Sequence, residues 1–284
     1  MKPEQINTPY KPTWCPGCGN YAIWVALKNA VTKLELDPAK VVVSYGIGCS
    51  GNENNFVGTY TFHSLHGRPV PPANGIKMVN HELTVIAVSG DGDAYAEGGN
   101  HFIHACRGNH DITYLVHNNA MYSLTTGQAS PTSQKGMPSK STPEGVLERP
   151  LNPIALALTA EASFVARGFS GKEEHLTDLI AKAIQHKGFS LVDILQPCVT
   201  FNKLNTFHYY YERVYDLQKE GYQPDDKEKA FKKAQEWGER IPIGIFYREK
   251  RPSYHSELFQ IKEKPLVGQN LAGIDITKSM KEFV

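Results

Sequence analysis

Thr84-Val85-Ile86-Ala87-Val88-Ser89-Gly90-Asp91-Gly92 is the stretch that decides how this chain of 284 residues is read. An apolar run of the length of a buried strand leads straight into a carboxylate between two glycines. A second such run, Ile112-Thr113-Tyr114-Leu115-Val116, precedes Asn118-Asn119, with 25 residues between Gly92 and Asn118. Glycines let backbone N–H groups approach a phosphate closely. A carboxylate and an amide oxygen can then hold a Mg²⁺ that bridges diphosphate oxygens. Asp91 and Asn119 are therefore the metal candidates, and residues 90–92 the phosphate candidates. Gly-Asp-Gly alone is also an ordinary turn; a strand before each end of the pattern makes it specific.

Working outward, buried strands and helices alternate. Residues 20–35 carry apolar positions at helical spacing (Ala22, Val25, Ala26, Ala30, Val31). Residues 41–45 read as a strand that ends in the glycine-rich loop Gly46-Ile47-Gly48-Cys49-Ser50-Gly51. A helix is expected at 73–80, another at 98–106, and a strand at 111–117. Helix, strand, helix and strand follow at 153–159, 163–167, 175–186 and 190–195. This order argues an α/β fold, a parallel sheet with helices on both faces. The polar stretch 129–149 is long for a compact domain and reads as a covering loop. Residues 1–200 are read as the α/β domain and 201–284 as a C-terminal arm. Cys49, Asp91, Asn119 and Cys198 each follow an expected strand, so the carboxyl rim of the sheet would gather them.

The five cysteines are Cys15, Cys18, Cys49, Cys106 and Cys198. An odd number without a secretory signal argues against a disulfide framework and for the reducing cytoplasm. Four of them suit a [4Fe–4S] cluster or a zinc ion, and Cys15-Pro16-Gly17-Cys18 also has the spacing of a redox dithiol. Cys106, in an apolar helix pattern, reads as a core thiol.

Composition excludes other classes. Thirty basic residues against 29 acidic ones leave a formal charge of +1, which gives nucleic acid or an anionic membrane no electrostatic hold. No apolar run approaches the ~20 residues of a membrane span. Tyr209-Tyr210-Tyr211 reads as packing.

With these residues assembled, the chain resembles the β subunits of the 2-oxoacid:ferredoxin oxidoreductases, from Trp14 to about Asn202. The resemblance is carried by residues 14–19, 46–50, 65–68 (Leu-His-Gly-Arg), 90–93, 118–119, 124–132 and 196–198. It implies the thiamine diphosphate-binding fold, with an N-terminal cluster-binding segment. It implies a [4Fe–4S] cluster on Cys15, Cys18, Cys49 and Cys198, and Mg²⁺ on Asp91, Asn119 and the carbonyl of Met121. Thiamine diphosphate would lie against Ile47, Gly48, Cys49 and Ser50 and against Gly90, Asp91, Gly92 and Asp93, with Thr125 nearby. Asp93 would sit beside the metal rather than on it. His66 and Leu124 would face the substrate, although His66 also reads as a plain loop histidine.

The resemblance implies CoA-dependent oxidative decarboxylation of a 2-oxoacid, with electrons passing through the cluster to ferredoxin, or the reverse. Only one α/β unit is present, and the diphosphate motif occupies it. A partner α subunit that bears the pyrimidine-binding domain is therefore expected, in an (αβ)₂ hetero-oligomer. Some family members carry a cation shortly after the Cys-Ser of the glycine-rich loop. Here Gly51-Asn52-Glu53-Asn54-Asn55 follows, which points to a monocarboxylic substrate such as pyruvate if this chain alone sets selectivity. The closeness to two-subunit 2-oxoglutarate enzymes points to 2-oxoglutarate, the substrate expected here. Two other classes remain open: a non-redox thiamine enzyme with a structural zinc, and an electron-transfer protein holding only the cluster.

Overall fold

The computed structural model describes residues 2–270 and 272–283. Its centre is one sheet of eight strands in the order β2-β1-β3-β4-β6-β5-β8-β7. The strands are β1 (Val41–Tyr45), β2 (Tyr60–His63), β3 (Thr84–Gly90), β4 (Thr113–Asn118), β5 (Phe164–Phe169), β6 (Ser190–Leu195), β7 (Val214–Asp216) and β8 (Ile241–Arg248). All neighbours pair in parallel except β5 and β8.

The period-two alternation of side chains divides the core into two layers. On β3, Val85 and Ala87 face one layer, and Ile86 and Val88 face the other. Helices α2 (Val70–Val79), α3 (Gly99–Gly108), α4 (Pro153–Thr159) and α7 (Lys227–Ala234) cover the first layer. Helices α1 (Asn20–Lys33) and α5 (Glu173–Gln185) cover the second. Between α5 and α7 in the chain, the short helix α6 (Phe207–Tyr211) buries Tyr210 against Phe169 and Leu195, so the tyrosine run is packing. Local signals set the ends. Asn152 caps α4 by accepting from the Ala155 amide, with Pro153 in the first turn, where its missing N–H costs nothing. Asn109 ends α3 in the left-handed region, at φ 51°.

Two elements depart from the sequence reading. The polypeptide beyond residue 200 does not merely lie on the domain: β7 and β8 complete the same sheet, and β8 pairs antiparallel with β5. Edge strand β2 was not expected either; its four residues are all exposed. Among the described residues no helix is long and apolar enough to cross a membrane.

The topology also locates a crevice. Strand β1 connects outward to β2, while β3 connects the opposite way to β4. Beyond the carboxyl ends of such a diverging pair, connections leave a gap where ligands bind in open α/β sheets. Here the gap is bounded by Gly46 and by Gly90.

Candidate active site

Two glycine-containing loops wall the crevice, and Asp93 clamps them together. One of its oxygens accepts from the amides of Ile47 (3.1 Å) and Gly67 (2.6 Å) and pairs with His66 Nδ1 at 2.8 Å. The other accepts from Ser89 Oγ at 2.5 Å. A Cβ at Gly46 would stand 1.8 Å from Asp93 Oδ2, so only glycine fits there. With both oxygens committed, Asp93 builds the pocket wall. Burial raises its pKa, and the donors around it oppose that rise.

Asp91 and Asn119 meet at the ends of β3 and β4. Asp91 is fully buried, and its Oδ2 accepts from Ser130 Oγ (2.5 Å) and Thr132 Oγ1 (2.6 Å). Among the described residues its Oδ1 accepts only from the Asn119 amide, at 3.4 Å. Burial pushes the carboxyl up to about 6 against the pull of those donors. A cation at Oδ1 would reverse that push. Asn119 donates from Nδ2 to Gln196 Oε1 (2.9 Å) and Ser123 Oγ (3.2 Å), which fixes the amide plane. Its Oδ1 accepts from the Met121 amide at 3.2 Å.

The hollow between these groups measures about 80 Å³ and is lined by residues 47–50, 66, 90–93, 119, 121, 124 and 125, among others. Every residue read from the sequence as a thiamine diphosphate or Mg²⁺ contact is on that wall. The donor set fits a metal-bound diphosphate. Ser50 Oγ is buried without a hydrogen-bond partner among the described residues. Gly48 has φ 131°, and a Cβ there would meet nothing within 4 Å, so its backbone is open to a ligand. Gly92 is required for another reason: a Cβ there would stand 2.4 Å from the Tyr122 ring.

Cys15, Cys18, Cys49 and Cys198 line a second cavity, of about 180 Å³. Trp14 holds its rim by donating from Nε1 to the Cys49 carbonyl at 2.7 Å. Gln196 Nε2 reaches Cys18 Sγ and Ser123 Oγ reaches Cys49 Sγ, each at 3.4 Å. Burial pushes the Cys18 thiol up to about 12, with a smaller addition from the neighbouring thiols, and raises Cys49 as well. Four converging sulfurs suit a cluster held by four thiolates. Among the described residues no three His, Cys, Asp or Glu side chains gather closely enough for a single metal ion. Cys106 lies apart, fully buried in the core.

The two cavities are neighbours. Cys49, Asn119, Ser123, Leu124 and Gln196 line both. His66 and Leu124 stand at exposed positions on the first, with Leu124 49% exposed. The loop 129–149 packs beside the site: Met137 and Val146 bury against Met121 and Cys198. Residues after Ser50 offer no cation. A Cβ at Gly51 would stand 2.1 Å from the Gly46 carbonyl oxygen, and Glu53 is buried. Sequence reading missed Ser130, Thr132 and Gln196 as supports of the metal candidates. All three lie in segments that carry the family resemblance, yet nothing in their spacing points at Asp91 or Asn119.

Comparison with known proteins agrees with this geometry. Residues 39–194 match the family model of the thiamine pyrophosphate enzyme C-terminal TPP-binding domain. Residues 198–263 match the model of the C-terminal part of the pyruvate ferredoxin oxidoreductase β subunit. The 2-oxoacid:ferredoxin oxidoreductase subunit β of Saccharolobus solfataricus is 46% identical over 256 residues, 86% of this chain and 84% of that one. The 2-oxoglutarate oxidoreductase subunit KorB of Mycobacterium tuberculosis is 45% identical over 202 residues, 71% of this chain and 54% of that one. A solved 2-oxoglutarate:ferredoxin oxidoreductase from Magnetococcus marinus, with 2-oxoglutarate, coenzyme A and succinyl-CoA bound, superposes with a TM-score of 0.92. It is 36% identical, and the match covers 99% of this chain and 96% of that one. With that much sequence and fold in common, the chain belongs to the 2-oxoacid:ferredoxin oxidoreductase β-subunit family.

Proposed function

We propose that this chain, joined to an α subunit, performs the CoA-dependent oxidative decarboxylation of 2-oxoglutarate, or the reverse carboxylation. The observation that carries the reading is the shared wall between the diphosphate pocket and the four-thiol cavity. Asp91 Oδ1, Asn119 Oδ1 and the Met121 carbonyl would hold Mg²⁺. Ile47 to Ser50 and Gly90 to Asp93 would carry the diphosphate, with Thr125 at the pocket edge. Cys15, Cys18, Cys49 and Cys198 would hold a [4Fe–4S] cluster. Thiamine diphosphate would supply the carbon nucleophile and electron sink for decarboxylation, and a cluster on the four thiolates would supply a one-electron acceptor.

The chain's own residues orient and enclose. Asp93 holds His66 by Nδ1 and leaves its Nε2 for the substrate end. Leu124 and Ser123 line both the pocket and the cavity, which would keep the path from pocket to cluster short. Residues 1–200 act as the cofactor domain, and 201–284 as an extension that completes the sheet. The partner α subunit would supply the pyrimidine-binding side, the electrons would leave to a ferredoxin in the cytoplasm, and the assembly would be (αβ)₂. Because residues 51–55 offer no cation, the second carboxylate of 2-oxoglutarate would be read by the partner.

The substrate reading rests on relatives named for 2-oxoglutarate and on the M. marinus enzyme that binds it. A panel of 2-oxoacids with CoA and a viologen acceptor, run on the complex with the α subunit, tests it. 2-Oxoglutarate should give the highest kcat/KM; a tenfold preference for pyruvate would overturn the substrate. The isolated chain should give negligible turnover.

A further inference from the structure

A third cavity, of about 230 Å³, is lined by residues of β4, β6 and β5 and shares no lining residue with the first two. Its base is polar and buried: Asn118, Arg167, Asp193 and Asn205. Its upper wall is aromatic, with Tyr210 buried and Trp237 at the lip, 44% exposed.

Arg167 is the unusual member. It is 1% exposed, on a central strand, with its guanidinium 5.2 Å from the Trp237 ring and 5.3 Å from the Phe246 ring. A guanidinium carries five N–H donors. Among the described residues its only hydrogen bond is a long one, from Nη1 to the Pro242 carbonyl at 3.5 Å. Nε faces Asp193 Oδ2 at 3.7 Å, beyond hydrogen-bond reach, and both atoms lack partners. Asp193 is better served, because its Oδ1 accepts from Tyr95 (2.9 Å) and Asn118 (3.1 Å). Asp193 balances the charge, but the guanidinium's N–H donors remain short of acceptors beside an open cavity.

We propose that this cavity is a binding site for a small, flat, singly charged carboxylate. Its carboxylate oxygens accept from the Arg167 guanidinium, whose planar fork matches them, and its apolar body lies against Trp237 and Tyr210. Asp193, next to the guanidinium, disfavours a doubly charged ligand such as phosphate. Nothing in the proposed reaction uses this cavity, so the site is additional to the active site.

The test uses the complex with the α subunit and three probes: benzoate, its neutral analogue benzamide, and inorganic phosphate. Titration calorimetry, with Trp237 fluorescence as a second signal, should show benzoate binding at least tenfold more tightly than benzamide, with phosphate unable to displace it. Trp237→Ala, at the exposed lip, should weaken benzoate binding at least tenfold. Arg167→Met should abolish it; if that variant does not fold, Trp237→Ala decides. Equal binding of benzoate and benzamide, displacement by phosphate, unchanged affinity in Trp237→Ala, or no benzoate binding would each overturn the site.

Discussion

Thr132→Val and Ser130→Ala remove the two hydroxyl donors on Asp91 Oδ2 without replacing any proposed metal ligand. Valine keeps nearly the volume of threonine, so the change is chiefly electrical. Without metal, burial pushes Asp91 up to about 6, so near neutrality the carboxylate is favoured about tenfold, and losing the Ser130 and Thr132 donors raises that value and brings back the acid. A hydrogen bond to a neutral acid is worth about 1 kcal/mol, and one to a carboxylate ~1.5–3 kcal/mol. Metal binding fixes the carboxylate form. Only the difference, ~0.5–2 kcal/mol for each donor, then appears in affinity, roughly twofold to thirtyfold. Lost outer partners of metal ligands typically cost ~10–100-fold in affinity, and the double variant should fall in that range. The assay is calorimetric titration of thiamine diphosphate at stepped Mg²⁺ concentrations, using the complex with the α subunit. The iron–sulfur spectrum should stay unchanged. A folded double variant with wild-type Mg²⁺ dependence would show that Asp91 is not a metal ligand.

Three further outcomes follow from the geometry. Cys198→Ser should lose or alter the iron–sulfur signal while Cys106→Ser keeps it, at ~1–3 kcal/mol of stability for a buried hydroxyl; the reverse result by EPR would overturn the ligand set. Gly46→Ala would put a carbon 1.8 Å from Asp93 Oδ2 and should abolish cofactor binding, so full thiamine diphosphate occupancy in that variant would refute the clamp. Glu53 is buried with neither oxygen hydrogen-bonded among the described residues, and burial pushes it up to about 8. It holds its proton in the fold and releases it on unfolding between about pH 4.5 and 8. Its unfavourable contribution therefore grows as pH rises through that window and is absent below it. Glu53→Gln should gain on wild type by several kcal/mol, up to ~5, from low to high pH in denaturant melts; a constant difference across pH would mean Glu53 ionises normally.

Much of the site was legible because strand ends and chemistry coincide. The apolar run 84–88 and Gly90-Asp91-Gly92 are adjacent in sequence, so recognising the strand also places the carboxylate on the rim. The same holds for Asn119 after β4 and Cys198 after β6. Strand β8 was hidden because Pro242 and Gly244 interrupt it, and both weigh against a strand. Here β8 is covered on one side by the short β7 and pairs through a bulge on the other, which accommodates them. Arg167 and Asp193 are the only charged residues in their strands, and what surrounds their side chains was invisible without the fold. Ser130 and Thr132 look like any polar turn. Only the path of the 120–152 segment back under β3 brings them to Asp91.

The central claim is that this chain places a thiamine diphosphate pocket against an iron–sulfur cluster. Mixing the anaerobic complex with 2-oxoglutarate, without ferredoxin or CoA, tests it directly by EPR. The account predicts a reduced-cluster signal that appears with release of CO₂ and is absent in Asp91→Ala, where the cluster itself remains. Release of CO₂ with the cluster left oxidised, or a complex that contains no iron, would contradict it.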